Sequence, residues 1–463
     1  MSDRAQSAKR EAQRGCVVMG PSALALTLVL ATFGPIVSEI AAQNVPATSA
    51  VPVVTLSEAR RRAHGVDPTV VAASQRIRVA GWERRAATAD LVAPRLNGSI
   101  SYIRFSEPFF NFGTGSISPN AAAASLEASY VILGAGKLGA LRSSRAALES
   151  AEATETATRF QSALGTDAAY FSVLAARELA RVATDRVTRA EEQLAVARVR
   201  VVAGEAIASD SLQLVLELNR ARLTLLRHDS AVVASRFQLG SRIGLTGPAD
   251  ASAFDTTMLP PLPFTEEQAV AELRERGPDV EAARAEERRA ESVLAAERER
   301  YLPALTLSAT TGAYDSDLFP TALRRSQLQV AMSLPFWDGG QRELAVARLQ
   351  ADRSVARAQR EERERSAGER IAQAYHGYGM ARAGIALAEV GVAAATETYR
   401  VQRARYGEGA TTIIELLEAQ VALSEAEATL VQARFATWLA LSHIEALLGR
   451  RVFDTSGSDR TNR

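Results

Sequence analysis

Two glycines of this sequence are each followed, six residues later, by an acidic residue, and the acids after the second glycine could act on a small ion. Asp210 comes six residues after Gly204, and Glu415 and Glu418 come six and nine residues after Gly409. A spacing of three places Glu415 and Glu418 on one face of a helix. Carboxylates held close together raise one another's pKa and attract cations. The alternative is that these acids only stabilise a helix start through its dipole.

Other side-chain chemistry is sparse. The sequence pairs no nucleophile with a base and has no glycine-rich phosphate loop. Its one cysteine, Cys16, excludes a disulfide framework and a multi-cysteine metal site. The histidines lack ligand spacing: His64, His228, His376 and His443. We therefore predict that the protein is not an enzyme and holds no cofactor or metal.

The charge balance and the composition narrow the class of protein. The 463 residues include 54 basic and 53 acidic ones, for a net charge of +1. A nucleic-acid binder would carry a basic excess, so we exclude that class. Apolar residues make up 47% of the chain but aromatic residues only 6%, so alanine and leucine dominate. This composition favours long, closely packed helices.

The N-terminus has the layout of a secretory signal. Basic residues within 1–21 precede an apolar run from Ala23 to Val37, and small residues follow at Ala41 and Ala42. We predict a signal peptide at 1–42, with cleavage after Ala50 as a second option. No other stretch is apolar enough to span a bilayer as a helix, so any membrane must be crossed by strands.

The rest of the chain consists of two copies of one repeat unit. Four landmarks recur in the same order between 204 and 210 positions later. They are the pairs Asp67-Pro68 and Gly277-Pro278, Pro94 and Pro303, 132–136 and 336–340, and Gly204 and Gly409. We predict a first repeat at 51–246, a proline-rich linker at 247–264, a second repeat at 265–450 and a tail at 451–463.

Each repeat begins with a helix and two short strands. The helices are predicted at 57–92 and 266–301, and the prolines that follow end them. Runs that alternate apolar and polar residues predict strands near 96–102, 125–132, 305–310 and 328–334. The segment between the first two strands, which contains Phe109, Phe110 and Phe112, is predicted to be an outer loop.

A long region without proline follows the strands of each repeat, at 136–204 and 340–409. As single helices these regions would each be roughly 100 Å long, at ~1.5 Å rise per residue. A compact domain has no place for helices of that length. Second helices at 206–245 and 412–449 then complete two antiparallel hairpins.

Four strands per chain are too few to close a membrane barrel, because the smallest transmembrane barrels have about eight. A membrane sheet also cannot leave its edges open. We therefore predict that the chain assembles with copies of itself, so that three copies supply twelve strands. Apolar strand faces would then contact lipid, and Trp337 and Tyr130 fit an aromatic girdle at the membrane boundary.

The sequence resembles the TolC-like outer-membrane efflux proteins across almost all of the chain after the signal segment. The resemblance rests on the duplicated Pro94 and Pro303, the turn at 335–340 (PFWDGG), the two glycine–acid spacings and the stretch 409–418 (GATTIIELLE). It implies a mainly α-helical homotrimer with a twelve-stranded outer-membrane β-barrel that continues into a helical tunnel through the periplasm. It further implies a passive exit duct, served through a periplasmic adaptor by an inner-membrane efflux pump or a secretion ATPase.

The same resemblance implies roles for residues at the two hairpin tips. Glu415 and Glu418 correspond to the acids of the tightest constriction. Tyr406 and Asp210 correspond to a latch that holds the closed state, and Thr411 stands where the family has an arginine of that latch. The turns that would meet the adaptor are Gly204, Glu205, Ala206 and Ile207 in the first hairpin, and Gly409, Ala410, Thr411 and Thr412 in the second.

A periplasmic adaptor or another coiled-coil scaffold is the alternative function. It too would be exported, rich in alanine and helical. Adaptors, however, carry one hairpin flanked by compact β domains, whereas this chain repeats a unit with one hairpin in each copy. Members of the family export drugs, metals or whole proteins, so the shared scaffold leaves the cargo open.

Overall fold

Helices and strands alternate in the same order in both halves of the chain. The computed structural model describes residues 51–111, 115–134, 136–204, 207–253, 260–315 and 323–453. The predicted signal peptide lies outside these residues, as do Phe112, Glu205, Ala206 and the end of the tail.

The first half contains β1 (Val53–Val54), α1 (Leu56–Val66), α2 (Pro68–Val92), β2 (Arg95–Asn111), β3 (Ser116–Leu133), α3 (Lys137–Val202) and α4 (Ala208–Arg242). The second half contains β4 (Asp250–Ala251), α5 (Glu266–Arg276), α6 (Pro278–Arg298), a 3₁₀ turn (Glu299–Tyr301), β5 (Ala304–Asp315), β6 (Leu323–Ser333), α7 (Gln341–Gly407) and α8 (Ile413–Leu448). The long hairpins therefore lie where the proline-free regions predict them.

The first predicted helix of each repeat is in fact two helices. Asp67 and Gly277 have ψ angles of 117° and 132°, outside the helical range, and each precedes a proline that begins the next helix. Proline disfavours the helical conformation of the residue before it but is well accommodated at a first helical position. The prediction of single helices at 57–92 and 266–301 was wrong because these prolines restart the helix.

The first two strands are longer than their alternating runs. Phe109 and Phe110 lie in β2 and pair with Ser118 and Ile117 of β3, so the prediction of an outer loop is wrong for them. The register shifts between Arg104 and Phe109, where proline interrupts the ladder. Proline is tolerated at an irregularity of an edge strand, and aromatic residues favour the strand beyond it.

All four long strands form one antiparallel sheet in the order β2-β3-β5-β6. The β3–β5 pairing joins the two halves, for example where Ala128 pairs with Ala309. Strands β2 and β6 are therefore the two edges of the sheet. A second sheet, which the sequence analysis missed, pairs β1 with β4 in parallel over two residues each. Two-residue strands are too short to show a period.

The long helices lie in the order α4-α3-α8-α7, because α3 packs on α4 and α8, and α7 packs on α8. Helix α2 packs on α3, whereas α6 packs on both α3 and α7. A large apolar core surrounds Tyr170, Phe171 and Trp438, and a smaller one near the hairpin tips contains Leu214, Leu416 and their neighbours. The layer thus has two outer members, α4 and α7, as the sheet has two edges.

Helices α3 and α6 approach most closely at Gly139. A Cβ atom there would lie 2.6 Å from the Cα of Ala296 and 2.7 Å from a carboxylate oxygen of Glu299. Glu299 also accepts a hydrogen bond of 2.8 Å from the Gly139 backbone N–H. Any larger residue at position 139 would overlap these atoms, so only glycine fits this junction between the two halves.

Replacing Gly139 with alanine should destabilise the protein. The added methyl group must push backbone apart, and overpacking of this kind costs about 1–3 kcal/mol. Gly81→Ala is the matched control, because a Cβ there meets nothing within 4 Å, and alanine is favoured over glycine in a helix by about 1 kcal/mol. Thermal unfolding should show a lower Tm for Gly139→Ala alone; equal Tm values for both variants would contradict the close packing.

Candidate functional site at the hairpin tips

Each hairpin turns at a glycine. Gly204 and Gly409 have φ angles of +76° and +74°, in the left-handed region that favours glycine. The Gly409 N–H donates to the Tyr406 carbonyl at 3.1 Å, and the Ala410 N–H donates to the Arg405 carbonyl at 2.8 Å. These bonds satisfy the last carbonyls of α7 and end the helix.

Two threonines contact the first turn of α8, and Thr412 is its N-cap. The Thr412 hydroxyl accepts a hydrogen bond of 3.4 Å from the Glu415 N–H. The Thr411 hydroxyl donates to the Glu415 carboxylate. Thr411, which stands where the resemblance expects an arginine, thus forms its hydrogen bond within the second hairpin.

Glu415 and Glu418 are both exposed and lie on one side of α8. The opposite side of the same turn is buried through Ile413, Leu416 and Ala419. The structure therefore brings the two acids together on a face that the protomer itself does not cover. Glu425, seven residues beyond Glu418, is exposed on the same face; the sequence analysis missed it, although the seven-residue spacing was a visible signal.

Tyr406 lies buried between the hairpins, with 7% of its surface exposed. Burial raises the pKa of its hydroxyl, and the negative charge of Asp210 raises that pKa further. The hydroxyl approaches Asp210 but forms no hydrogen bond of standard geometry with a described residue. The structure thus places the two predicted latch residues next to each other.

Arg200 of α3 is the basic residue at this site, and the sequence analysis did not single it out. Its guanidinium donates to the Tyr406 carbonyl and lies over the Tyr406 ring, 5.3 Å from the ring centroid. The arginine beside the predicted latch therefore comes from the first hairpin, four residues before its glycine. A cleft of about 310 Å³ lies between Arg200, Asp210, Tyr406 and Thr411.

The remaining tip residues are open to solvent. Gly204, Ile207, Gly409, Ala410 and Thr412 are exposed, and Glu205 and Ala206 lie outside the described residues. Over the ranges that the structure describes, no group of three or more acidic, histidine or cysteine side chains could hold a metal ion. Within those ranges, no helix combines the length and apolar character needed to cross a bilayer.

The comparison with protein families decides the assignment. The model of the outer membrane efflux protein family matches residues 59–245 and 269–450, which is most of the chain and both of its halves. The chain belongs to the outer membrane efflux protein family. It is thus an outer-membrane transport protein of a family of ducts and not of enzymes, and the adaptor alternative is set aside.

Solved structures with the same fold include three outer-membrane proteins. The CmeC channel of Campylobacter jejuni is 17% identical, with a TM-score of 0.73, and the match covers 88% of each chain. VceC of Vibrio cholerae is 20% identical over 86% of this chain and 97% of its own, with a TM-score of 0.70. The open-state MtrE channel of Neisseria gonorrhoeae is 18% identical over 89% of this chain and 95% of its own, with a TM-score of 0.71. No protein of curated function matches this sequence.

Proposed function

We propose that this efflux protein is the outer-membrane channel of a tripartite efflux or type I secretion system. It would be a passive exit duct that a periplasmic adaptor couples to an inner-membrane efflux pump or secretion ATPase. The observation that carries the proposal is the architecture: a four-stranded sheet and a layer of four long helices both have two open sides. Copies of the chain can close both at once into a continuous duct.

The two outer helices carry the apolar faces that such closure needs. On α4 an exposed apolar stripe, with spacings of three, four or seven residues, contains Leu212, Leu216, Leu223, Leu226, Val233 and Phe237. On α7 a second exposed stripe, with spacings of seven, three and eleven residues, contains Met380, Leu387, Val390 and Val401. This spacing is that of a coiled-coil seam. Since both stripes are exposed among the residues that the structure describes, we infer that α7 of one copy packs on α4 of the next.

The sheet supports a membrane position for one end of the duct. Leu328, Val330 and Met332 of β6 are exposed apolar residues on one face of the strand. Exposed apolar side chains at every second position fit contact with outer-membrane lipid. With β2 and β6 as edges, a homotrimer would join β6 of one copy to β2 of the next into twelve strands. The helices, of 66 and 67 residues, would extend into the periplasm.

The hairpin tips would then form the periplasmic mouth of the duct. Glu415 and Glu418 on the uncovered face of α8 would give two rings of three carboxylates, which favours cations at the constriction. Tyr406, Asp210 and Arg200 would hold the two hairpins together in the closed state. The exposed turns at Gly204, Ile207 and Gly409–Thr412 would meet the adaptor.

Assembly and conductance test this proposal directly. We expect the detergent-solubilised protein to be a trimer by light scattering and by a trimer band on gels that heating converts to monomer. Incorporated into a planar bilayer, it should conduct ions. A monodisperse monomer that forms no pores would contradict the proposed duct.

A further inference from the structure

The ends of the two long helices repeat each other closely in sequence. Residues 190–204 and 395–409 align at an offset of 205, with six identical positions. The identical pairs are Ala190 and Ala395, Glu192 and Glu397, Val196 and Val401, Arg198 and Arg403, Arg200 and Arg405, and Gly204 and Gly409. Four of the six are charged or turn-forming residues, which a shared apolar core does not require.

Two of these charged positions join the repeats within one chain. Arg403 of α7 forms an ion pair of 3.3 Å with Glu192 of α3. Arg200 of α3 donates to the carbonyl of Tyr406 at the end of α7. Together they connect the last turns of the two long helices across the boundary between the first and second repeats.

Among the described residues, the corresponding side chains of the other repeat make no such contacts. Arg198 and Glu397 correspond to the ion-paired residues Arg403 and Glu192. Arg405 and Val201 correspond to Arg200 and Tyr406 of the carbonyl contact. Arg198 forms no ion pair with any described residue, and Glu397 contacts Arg400 one turn away on its own helix. The one hydrogen bond of the Arg405 guanidinium to a described residue is a long contact of 3.4 Å to Ala410.

Glu397 also lies on the open side of the helix layer. It continues the exposed stripe of α7, three or four residues from Ala394 and Val401. In a ring of alternating repeats, the neighbour of the second repeat is the first repeat of the next copy. Two kinds of boundary then alternate around the ring: first repeat to second repeat within a chain, and second repeat to first repeat between chains. A contact at the boundary within a chain should therefore recur, through the corresponding residues, at the boundary between chains.

We propose that Glu397 of each protomer pairs with Arg198 of the adjacent protomer, and that Arg405 caps the Val201 carbonyl across the same boundary. The proposal rests on the proposed trimer and assigns its contacts at the periplasmic end. The partner is a second copy of this chain. The six boundaries around the mouth would carry the same two contacts, three within protomers and three between them.

These contacts set register more than they add stability. Arg403 and Glu192 are each about half exposed, and ion pairs of that exposure typically contribute little free energy. At the boundary between protomers, the arginine would also have no aromatic ring to stack on, because Val201 is the residue that corresponds to Tyr406. Proximity is therefore a sharper test than stability.

Cross-linking can distinguish contacts between protomers from contacts within one. In a Cys16→Ser background, which removes the one native cysteine, R198C and E397C are combined and treated with a short bismaleimide. A linker is needed because an arginine–glutamate pair separates its Cβ atoms beyond the reach of a disulfide. We expect covalent dimers and trimers that survive boiling. The matched pair E192C and R403C should instead link within one chain and remain a monomer on the boiled gel.

The outcomes distinguish a failure of the proposed contact from a failure of the proposed duct. If the native trimer forms and the control pair reacts, but the double variant R198C/E397C gives no product between chains, the proposed contact is wrong and the duct stands. If no trimer forms before any reagent is added, the proposed function itself fails. The single variant R198C should give no covalent dimer; a strong dimer band from it would also overturn the assignment.

Discussion

Replacing both Glu415 and Glu418 with alanine should abolish block of the channel by divalent and trivalent cations and reduce its preference for cations. Both carboxylates are exposed on one face of α8 next to the turn at Gly409. Three copies of that face would bring six carboxylates into a narrow mouth, where like charges together bind multivalent cations. Single-channel recordings with and without added trivalent cation measure the effect, and we expect block to be lost and not merely weakened.

The control variants separate the constriction from its surroundings. Glu425→Ala removes an acid on the same face, but seven residues further from the tip, and should leave block largely intact. Tyr406→Phe should raise the open probability without changing selectivity, because it removes only the hydroxyl beside Asp210. All variants should keep the trimer band, because Glu415, Glu418 and Glu425 are exposed and Tyr406→Phe keeps the buried ring.

The alternative reading of the two acids makes a different prediction. If they act only as helix-start residues, their loss removes the favourable dipole interaction of Glu415 in the first turn, about 0.3–1 kcal/mol, and the bond from Thr411 to Glu415. The double variant would then have a lower Tm while multivalent block remained at the wild-type level. That pair of results would place the constriction elsewhere in the duct.

The sequence predicted the repeats and the hairpins well because both depend on local signals. Glycines with positive φ end the long helices within two residues of the predicted turns, at Val202 and Gly407. The absence of proline in between is enough to predict an unbroken helix. The family resemblance, which the family model confirms, rested on these same turns.

The strands were harder to delimit because their pattern is incomplete. Residues 121–124 are four alanines that show no alternation, yet they pair with residues 100–103 of β2. Cross-strand hydrogen bonds fix the extent of a sheet, and a single sequence does not display them. The restart of helices at Pro68 and Pro278 was missed for the opposite reason: the signal was present but was used only as a repeat landmark.

Within the site, the sequence predicted positions but not partners. Asp210 and Tyr406 do lie near each other, whereas Arg200 was overlooked because the expected arginine was sought after the second glycine. An arginine from either hairpin could reach the Tyr406 carbonyl, and only the packing of the helices shows that the arginine of the first hairpin does so. The 205-residue offset between Arg200 and Arg405 was the available signal.

Placing a charge on the apolar stripe of either outer helix should prevent assembly of the trimer. Leu226 on α4 and Val390 on α7 are 65% and 69% exposed in the protomer, and the proposed contact would bury both. Leu226→Glu or Val390→Glu loses apolar burial of about 2 kcal/mol at each of three boundaries. It also brings a carboxylate into a dry seam, which costs further free energy unless the charge is paired.

Light scattering of the detergent-solubilised protein measures the outcome, with a monomer expected for each variant. Thr429→Glu is the matched control, because Thr429 is exposed on the face of α8 that carries Glu418 and Glu425. That face would line the water-filled duct, where an added carboxylate stays hydrated, so the control should remain a trimer and conduct. If Leu226→Glu and Val390→Glu both remain trimers of unchanged Tm, the two stripes do not form the contact between protomers, and closure must rest on the sheet edges β2 and β6 alone.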